Sequence, residues 1–454
     1  MRPLLKHQKD VLERCWWWKS IALFLEMRLG KTKIVIERLR GVSNHENGIL
    51  VIAPLTTLLS SWKSQLKDEG EMSVTALIGT REKRLKRFYK DRKWNLINYE
   101  GLSSLPEICQ HPWDAVILDE SAKLRNPQTK TSKLIVECFQ RVPIKIILSG
   151  EPAPESPLDY FQQFKFLKGD FMGFQNFWSF RAAAFMKVGN WDWVPRANWK
   201  IKIKDYVQKN AIIMTKQDAG IQPRRNFETR LIAMEPKQKK VMKQVEKEFI
   251  LPLLDPKKEE EFLQTKWKPV QWTWLSQIAG GFVQNKFKFK RKANELINLL
   301  EGELKQEKVV VWFRFNNEIR GVSKMLRKAG IKHVRLYGAM TPEERLKASD
   351  LFKFKALNDT RVILCQQKIG LYGLDLSAAS TAIYYSNTYS LEGRKQSEQR
   401  IEHALKSEPL LIIDLVTEKS IDHKIVKALH RKHKMSSYYL KREIIDELRK
   451  KYNK

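Results

Sequence analysis

Two series of short apolar runs constrain what this chain can fold into. The first comprises Ile21–Leu25, Gly48–Pro54, Trp94–Tyr99, Ala115–Leu118 and Ile144–Leu148, and the second comprises Val309–Phe313, Val334–Tyr337, Arg361–Leu364, Thr381–Tyr385 and Leu410–Leu415. Most of these runs are near-continuously apolar rather than alternating, which marks strands covered on both faces, and helical stretches separate them. Parallel sheets meet both conditions, so two doubly wound α/β domains are expected. A length of 454 residues exceeds what a single core usually supports. The expected boundaries are 1–156 for the first domain core, 157–300 for a helix-rich connector, 301–430 for the second domain and 431–454 for a basic helical tail.

The connector is rich in aromatic residues, with Phe161, Phe164, Phe166, Phe171, Phe174, Phe177, Trp178 and Phe180 close together. Such a cluster is ordinarily core. Stacking on nucleobases is the alternative, and it requires exposed rings beside positive charge. Trp191, Trp193 and Trp199, set among Lys and Arg, are the better candidates for that role.

Charge is the second strong signal. Lys and Arg number 84 against 51 Asp and Glu, a formal net charge of +33. Such an excess opposes compaction and is usually kept because a polyanion neutralises it. An anionic membrane surface would favour one concentrated basic amphipathic helix, whereas here the basic residues are spread along the chain. Nucleic acid is therefore the expected partner, bound through phosphates and largely without regard to sequence. No apolar run approaches the roughly 20 residues of a membrane span, and no secretory signal is evident. Cys15, Cys109, Cys138 and Cys365 show no Cys-x-x-Cys spacing, so neither a disulfide framework nor a zinc site is expected, and a reducing, cytoplasmic setting is.

Met27-Arg28-Leu29-Gly30-Lys31-Thr32 follows the run Ile21–Leu25 and leads into a helical stretch. A strand, a tight turn ending in Gly-Lys-Thr and a helix N-terminus are suited to phosphate: turn N–H groups and the helix dipole face the oxygens, and Lys31 adds a formal charge. Thr32 offers a hydroxyl to a magnesium ion. The strict pattern places glycine five residues before Gly30, where this chain has Leu25. Asp119-Glu120 follows directly on the run Ala115–Leu118, which puts two carboxylates at the C-terminal edge of a parallel sheet. Nucleotide hydrolysis needs a carboxylate for magnesium and a base for water; Asp119 is expected in the first role and Glu120 in the second.

In order along the chain, these segments resemble the motifs of the Swi/Snf group of superfamily 2 helicase-like ATPases. Leu4–Gln8 resembles the opening motif whose glutamine reads adenine, which gives that role to Gln8. Glu26–Thr32 resembles motif I, Val51–Thr56 with Trp62 resembles the nucleic-acid-contacting motif Ia, and Asn98–Glu100 resembles motif Ib. Asp119–Ala122 with the basic sequel Lys123-Leu124-Arg125-Asn126 is similar to motif II, and Leu148–Pro152 to motif III. In the second half Lys308–Phe313 resembles motif IV, Leu336-Tyr337-Gly338 with Thr341 the next nucleic-acid contact, Gly370–Leu376 with Ala378-Ala379-Ser380 motif V, and Gln396–Lys406 motif VI.

The resemblance implies two tandem RecA-like domains that close on ATP and Mg2+. Nucleotide-binding residues would be Gln8, Arg28, Leu29, Gly30, Lys31, Thr32, Gly373, Asp375 and Arg400, with Thr32 and Asp119 on the metal and Lys31, Asp119, Glu120 and Arg400 in catalysis. It implies a DNA-dependent ATPase that translocates on duplex or branched DNA and remodels or unwinds it, in a minimal, monomeric form suited to a bacterial or viral origin. A nucleotide-gated DNA-binding protein with weak hydrolysis and an RNA helicase are the alternatives. The departures bear on rate: His403 stands where the family has a second arginine, Glu151 where it has threonine, and Arg28 and Leu371 where it has glycine. A histidine is shorter than arginine and mostly neutral at pH 7. Either Arg400 alone offsets the transition-state charge, or Arg394 or Lys406 assists, or turnover is slow.

Overall fold

The computed structural model describes residues 3–41, 46–90, 92–153, 156–188, 192–221, 225–250, 268–284, 286–353, 360–370, 376–402 and 409–430. It divides into two compact units, Met1–Gln222 and Pro223–Lys454.

In the first unit, β1 (Ser20–Leu25), β2 (Ile49–Ala53), β3 (Val74–Ala76), β4 (Trp94–Asn98), β5 (Ala115–Asp119), β6 (Ile144–Leu148) and β9 (Ile212–Met214) form one sheet in the order β3-β4-β2-β5-β6-β1-β9. Every pairing in it is parallel. The near-continuous apolar strands cover two cores at once. Along β5, Val116 and Leu118 enter one cluster with Phe161 and Phe164, while Ala115 and Ile117 enter the other with Trp62 and Leu29. Between β6 and β9, β7 (Phe185–Val188) and β8 (Asp192–Pro195) form a separate antiparallel hairpin. Because β1 and β5 both flank β6 in parallel, the turns that follow them open on the same edge of the sheet.

The second unit holds β10 (Arg225–Ile232), a short hairpin of β11 (Phe282–Val283) and β12 (Lys286–Phe287), β13 (Val309–Phe313), β14 (His333–Leu336), β15 (Val362–Gln366), β16 (Thr381–Tyr384) and β17 (Leu410–Thr417). Its main sheet is again parallel, in the order β10-β17-β16-β13-β15-β14.

Residues 157–300, expected as a connector, are divided between the units. The helix Tyr160–Lys168 and its aromatic neighbours pack under the first sheet, and β9 extends that sheet, whereas β10 lies along the full length of β17. Sequence pattern does not single out β9 and β10, which lie at sheet edges. β9 is only three residues long, and β10 interleaves apolar with charged and polar residues along Arg225–Ile232, so neither reads like the longer central runs. Phe161, Phe164, Phe166, Phe171 and Phe180 are buried, as the core reading of the aromatic cluster expects.

One expectation is corrected. Cys109, in the helix Glu107–Gln110, and Cys138, at the end of the helix Lys130–Cys138, form a disulfide with Cα atoms 4.9 Å apart. The two lie 29 residues apart in sequence, and only the packing of those helices brings them together. Among the described residues no helix is long and apolar enough to cross a membrane.

Candidate nucleotide site

The turn after β1 is shaped by two left-handed residues, Arg28 at φ +73° and Gly30 at φ +80°. Successive N–H groups in such a turn form a concave anion nest. The helix Lys31–Arg40 begins at Gly30 with no side-chain cap, the kind of helix start that suits an anion. The positive φ favours glycine at 30, and a Cβ there would also crowd the Gln8 amide, 2.1 Å from Nε2. That amide donates to Leu29 O at 3.3 Å, and His7 Nε2 donates to the same carbonyl at 3.1 Å, so the opening helix Lys6–Cys15 is tied to the turn. Lys31 Nζ donates to Leu25 O at 2.7 Å and to Glu26 O at 3.3 Å. Leu25, where the strict pattern has glycine, closes β1 inside the core.

Asp119 ends β5 and is buried. Burial, and next to it the charge of Glu120, push its carboxyl up to about 6, while the Trp62 N–H and the charge of Lys31 pull the other way. Trp62 Nε1 donates to Asp119 Oδ2 at 2.8 Å, and Tyr99 OH donates to Asp119 O at 2.9 Å. Asp119 forms no salt bridge among the described residues. Glu120 turns the chain at φ +54°, a left-handed conformation that non-glycine residues hold only under local constraint. The following Ser121 donates to Gln163 Oε1 at 2.7 Å, and Gln163 Nε2 donates to Pro152 O at 2.6 Å. One buried glutamine therefore joins the segments resembling motifs II and III.

Trp62 corrects the sequence reading. The resemblance to motif Ia implies a nucleic-acid contact there, but the indole is fully buried, reached through a one-turn π-helix, Leu58–Trp62, and spends its N–H on Asp119. π-bulges of this kind often sit at functional sites. Neither Gln163 nor the Tyr99 hydroxyl carried a sequence signal for its contact, because both partners are distant in the chain.

In the second unit Arg400 is buried just after the helix Leu391–Gln399, and its carbonyl accepts Leu376 N at 3.1 Å. Gly373, Asp375, His403 and Lys406 lie outside the described residues. Arg394 is not available as an assisting finger. It grips Asp414 in a bidentate pair at 2.6 and 3.0 Å, donates to Glu398 at 2.6 Å and Asn387 at 2.8 Å, and lies 3.4 Å from the Tyr384 ring centroid. Burial alone would raise the Asp414 carboxyl, but Arg394, with His430 and Asn387, holds it down to about 2.

The SNF2-related domain pattern matches residues 7–300, and the helicase conserved C-terminal domain matches residues 291–405. The chain belongs to the SNF2-related family. Its class is that of helicase-like ATP hydrolases. DNA repair and recombination protein RDH54 of Saccharomyces cerevisiae is 30% identical over 151 residues, 33% of this chain and 16% of that protein. The SWI/SNF-related matrix-associated actin-dependent regulator of chromatin subfamily A-like protein 1 of Drosophila melanogaster is 21% identical over 340 residues, 73% of this chain and 42% of that protein. The chain thus spans less than half the length of these curated relatives. Among solved structures, the Hef helicase domain of Pyrococcus furiosus shares the fold at a TM-score of 0.53 and 14% identity, covering 94% of this chain and 98% of that one.

The first unit's residues of this SNF2-related chain fit a magnesium nucleotide. An uncapped helix start and an anion nest face one side of the need, and a buried carboxylate that forms no salt bridge among the described residues faces the other. Thr32, itself buried, and Asp119 are the residues that would hold the metal.

Proposed function

We propose that this chain is a DNA-dependent ATPase that uses hydrolysis to translocate on duplex or branched DNA, acting as a monomer and binding largely through phosphates. One observation carries the reading: Asp119 is buried and pushed up by desolvation and by Glu120, beside a turn whose N–H groups and lysine suit phosphate. A bound magnesium ion would supply charge neutralisation at the phosphate oxygens. The protein's own part is to hold and to aim. Gly30 and the first N–H groups of the helix Lys31–Arg40 cradle the phosphates, and Lys31 turns from the carbonyls of Leu25 and Glu26 toward them. Gln8 reads the adenine edge, which connects base recognition to the turn through its bond to Leu29. Glu120 accepts the proton of the attacking water, and Arg400 offsets charge on the transferring group.

DNA as the polyanion is supported by the net charge of +33 and by relatives named for DNA repair and recombination. ATP turnover measured with and without duplex DNA, single-stranded DNA and RNA tests the proposal. Stimulation by duplex DNA, abolished in Lys31→Ala, is expected. Turnover that no nucleic acid raises would overturn it, and stimulation by RNA alone would make the chain an RNA helicase instead.

A further inference from the structure

We infer that the first unit carries a stacking surface for unpaired nucleotides, built on Trp178, Arg181 and Trp193. The inference rests on DNA being the polyanion and adds which form of DNA is singled out. Arg181 Cζ lies 4.4 Å from the centroid of Trp178 and 4.0 Å from that of Trp193, so its guanidinium is sandwiched by two indoles. Beneath them the helix Phe177–Ala184 is anchored by Phe180, fully buried and stacked on Phe161 at 5.6 Å. The core is complete without Trp178, which is 47% exposed. The aromatic cluster thus has two layers, a sealed one that folds the unit and an open one above it.

Charge decides what the open layer suits. Residues 177–210 contain seven Lys and Arg against two Asp and Glu, and Lys187, Arg196 and Lys200 are exposed. Basic side chains alone bind any phosphate backbone, paired or not. An exposed indole beside a fixed cation adds something only for a base whose face is free, because bases in a duplex are already stacked on each other. The juxtaposition therefore favours an unpaired strand over a duplex, as found at a fork, gap or tail. Arg181 is held in place before any ligand arrives, so little side-chain freedom is lost when a base stacks beside it.

Binding of the full chain to a blunt duplex and to the same duplex with a single-stranded tail tests this, read by fluorescence anisotropy without nucleotide. The tailed DNA should bind about tenfold tighter, the size expected of one stacked base. Trp178→Ala should erase that preference while leaving blunt-duplex affinity and the unfolding midpoint unchanged, and Trp178→Phe should keep part of it. Tight blunt-duplex binding with no preference for the tail, or a preference that survives Trp178→Ala, would overturn this inference alone. Failure of the wild type to bind either DNA would overturn it together with the DNA-directed function. Capture of labelled polyglutamate instead of the tail, lost in Trp178→Ala, would assign the surface to an acidic protein and overturn it as well.

Discussion

Asp119 in the first unit and Asp414 in the second are both buried aspartates on parallel strands, and burial pushes both carboxyls upward. They end on opposite sides of the ordinary carboxylate range. Asp414 meets a bidentate arginine, an asparagine amide and a histidine, and falls to about 2. Asp119 meets one indole N–H, one backbone N–H and the charge of Lys31, against burial and a neighbouring glutamate, and rises to about 6. A charge satisfied from within belongs to the architecture. A charge left for something else to satisfy marks a site.

The comparison can be broken in several ways. The largest effect is expected from Glu120→Gln, which should lower ATP turnover about 10²–10⁴-fold and leave nucleotide binding in place, as single-turnover kinetics and a binding isotherm would report. Equal turnover in variant and wild type would remove Glu120 from catalysis. Arg394→Ala strands Asp414 and should destabilise the second unit by about 3–5 kcal/mol in chemical denaturation. Asp119→Asn removes a buried charge that forms no salt bridge among the described residues, and should leave that unit equally or more stable while turnover is lost. If Asp119→Asn and Arg394→Ala unfold the protein alike, the distinction between site and scaffold fails.

Trp62→Phe keeps the buried ring and deletes its N–H to Asp119. The loss of one hydrogen bond to a charged group, about 1.5–3 kcal/mol, should lower turnover about tenfold or more without changing DNA affinity. A variant with wild-type turnover would show that the indole only fills space.

Glu318 sharpens the contrast within the second unit. Burial, opposed by Ser386 and the charge of Lys292, pushes its carboxyl up to about 7, from an ordinary 4.5. Its Oε1 has no hydrogen-bond partner among the described residues. The folded state holds this proton more tightly than the unfolded one, so the associated stability is complete below pH 4.5 and is lost as pH rises to about 7. Glu318→Gln should flatten that decline, raising the unfolding midpoint at pH 8 and changing it little at pH 4.5; a parallel offset at both would contradict the assignment. The smallest effect is expected from Arg28→Gly, which relieves a left-handed φ and should stabilise the first unit by about 1 kcal/mol in denaturant titration.

The sheets were legible because nearly every central strand is an apolar run bounded by turn residues, as at Ile144–Leu148 and Val309–Phe313. β9 and β10 were not, since the first is only three residues long and the second interleaves charged residues along its length. The phosphate turn and the acidic pair were legible for a related reason. Their chemistry depends on residues adjacent in sequence, Gly30-Lys31-Thr32 and Asp119-Glu120, so order along the chain already fixes most of the arrangement. For Arg394, by contrast, order along the chain suggests a part in catalysis that its grip on Asp414 removes.

The sequence alone therefore determined the two sheets, the polyanion-seeking charge and the residues able to hold a nucleotide, because each is written in local order or in bulk composition. Only the tertiary structure decided which charges are spent and which remain. It put Trp62 on Asp119, 57 positions away, joined Ser121 to Gln163, closed Cys109 on Cys138 and left Trp178 open above a sealed core. Hydrogen bonds, desolvation and exposure depend on neighbours in space, and those neighbours exist only once the chain has packed.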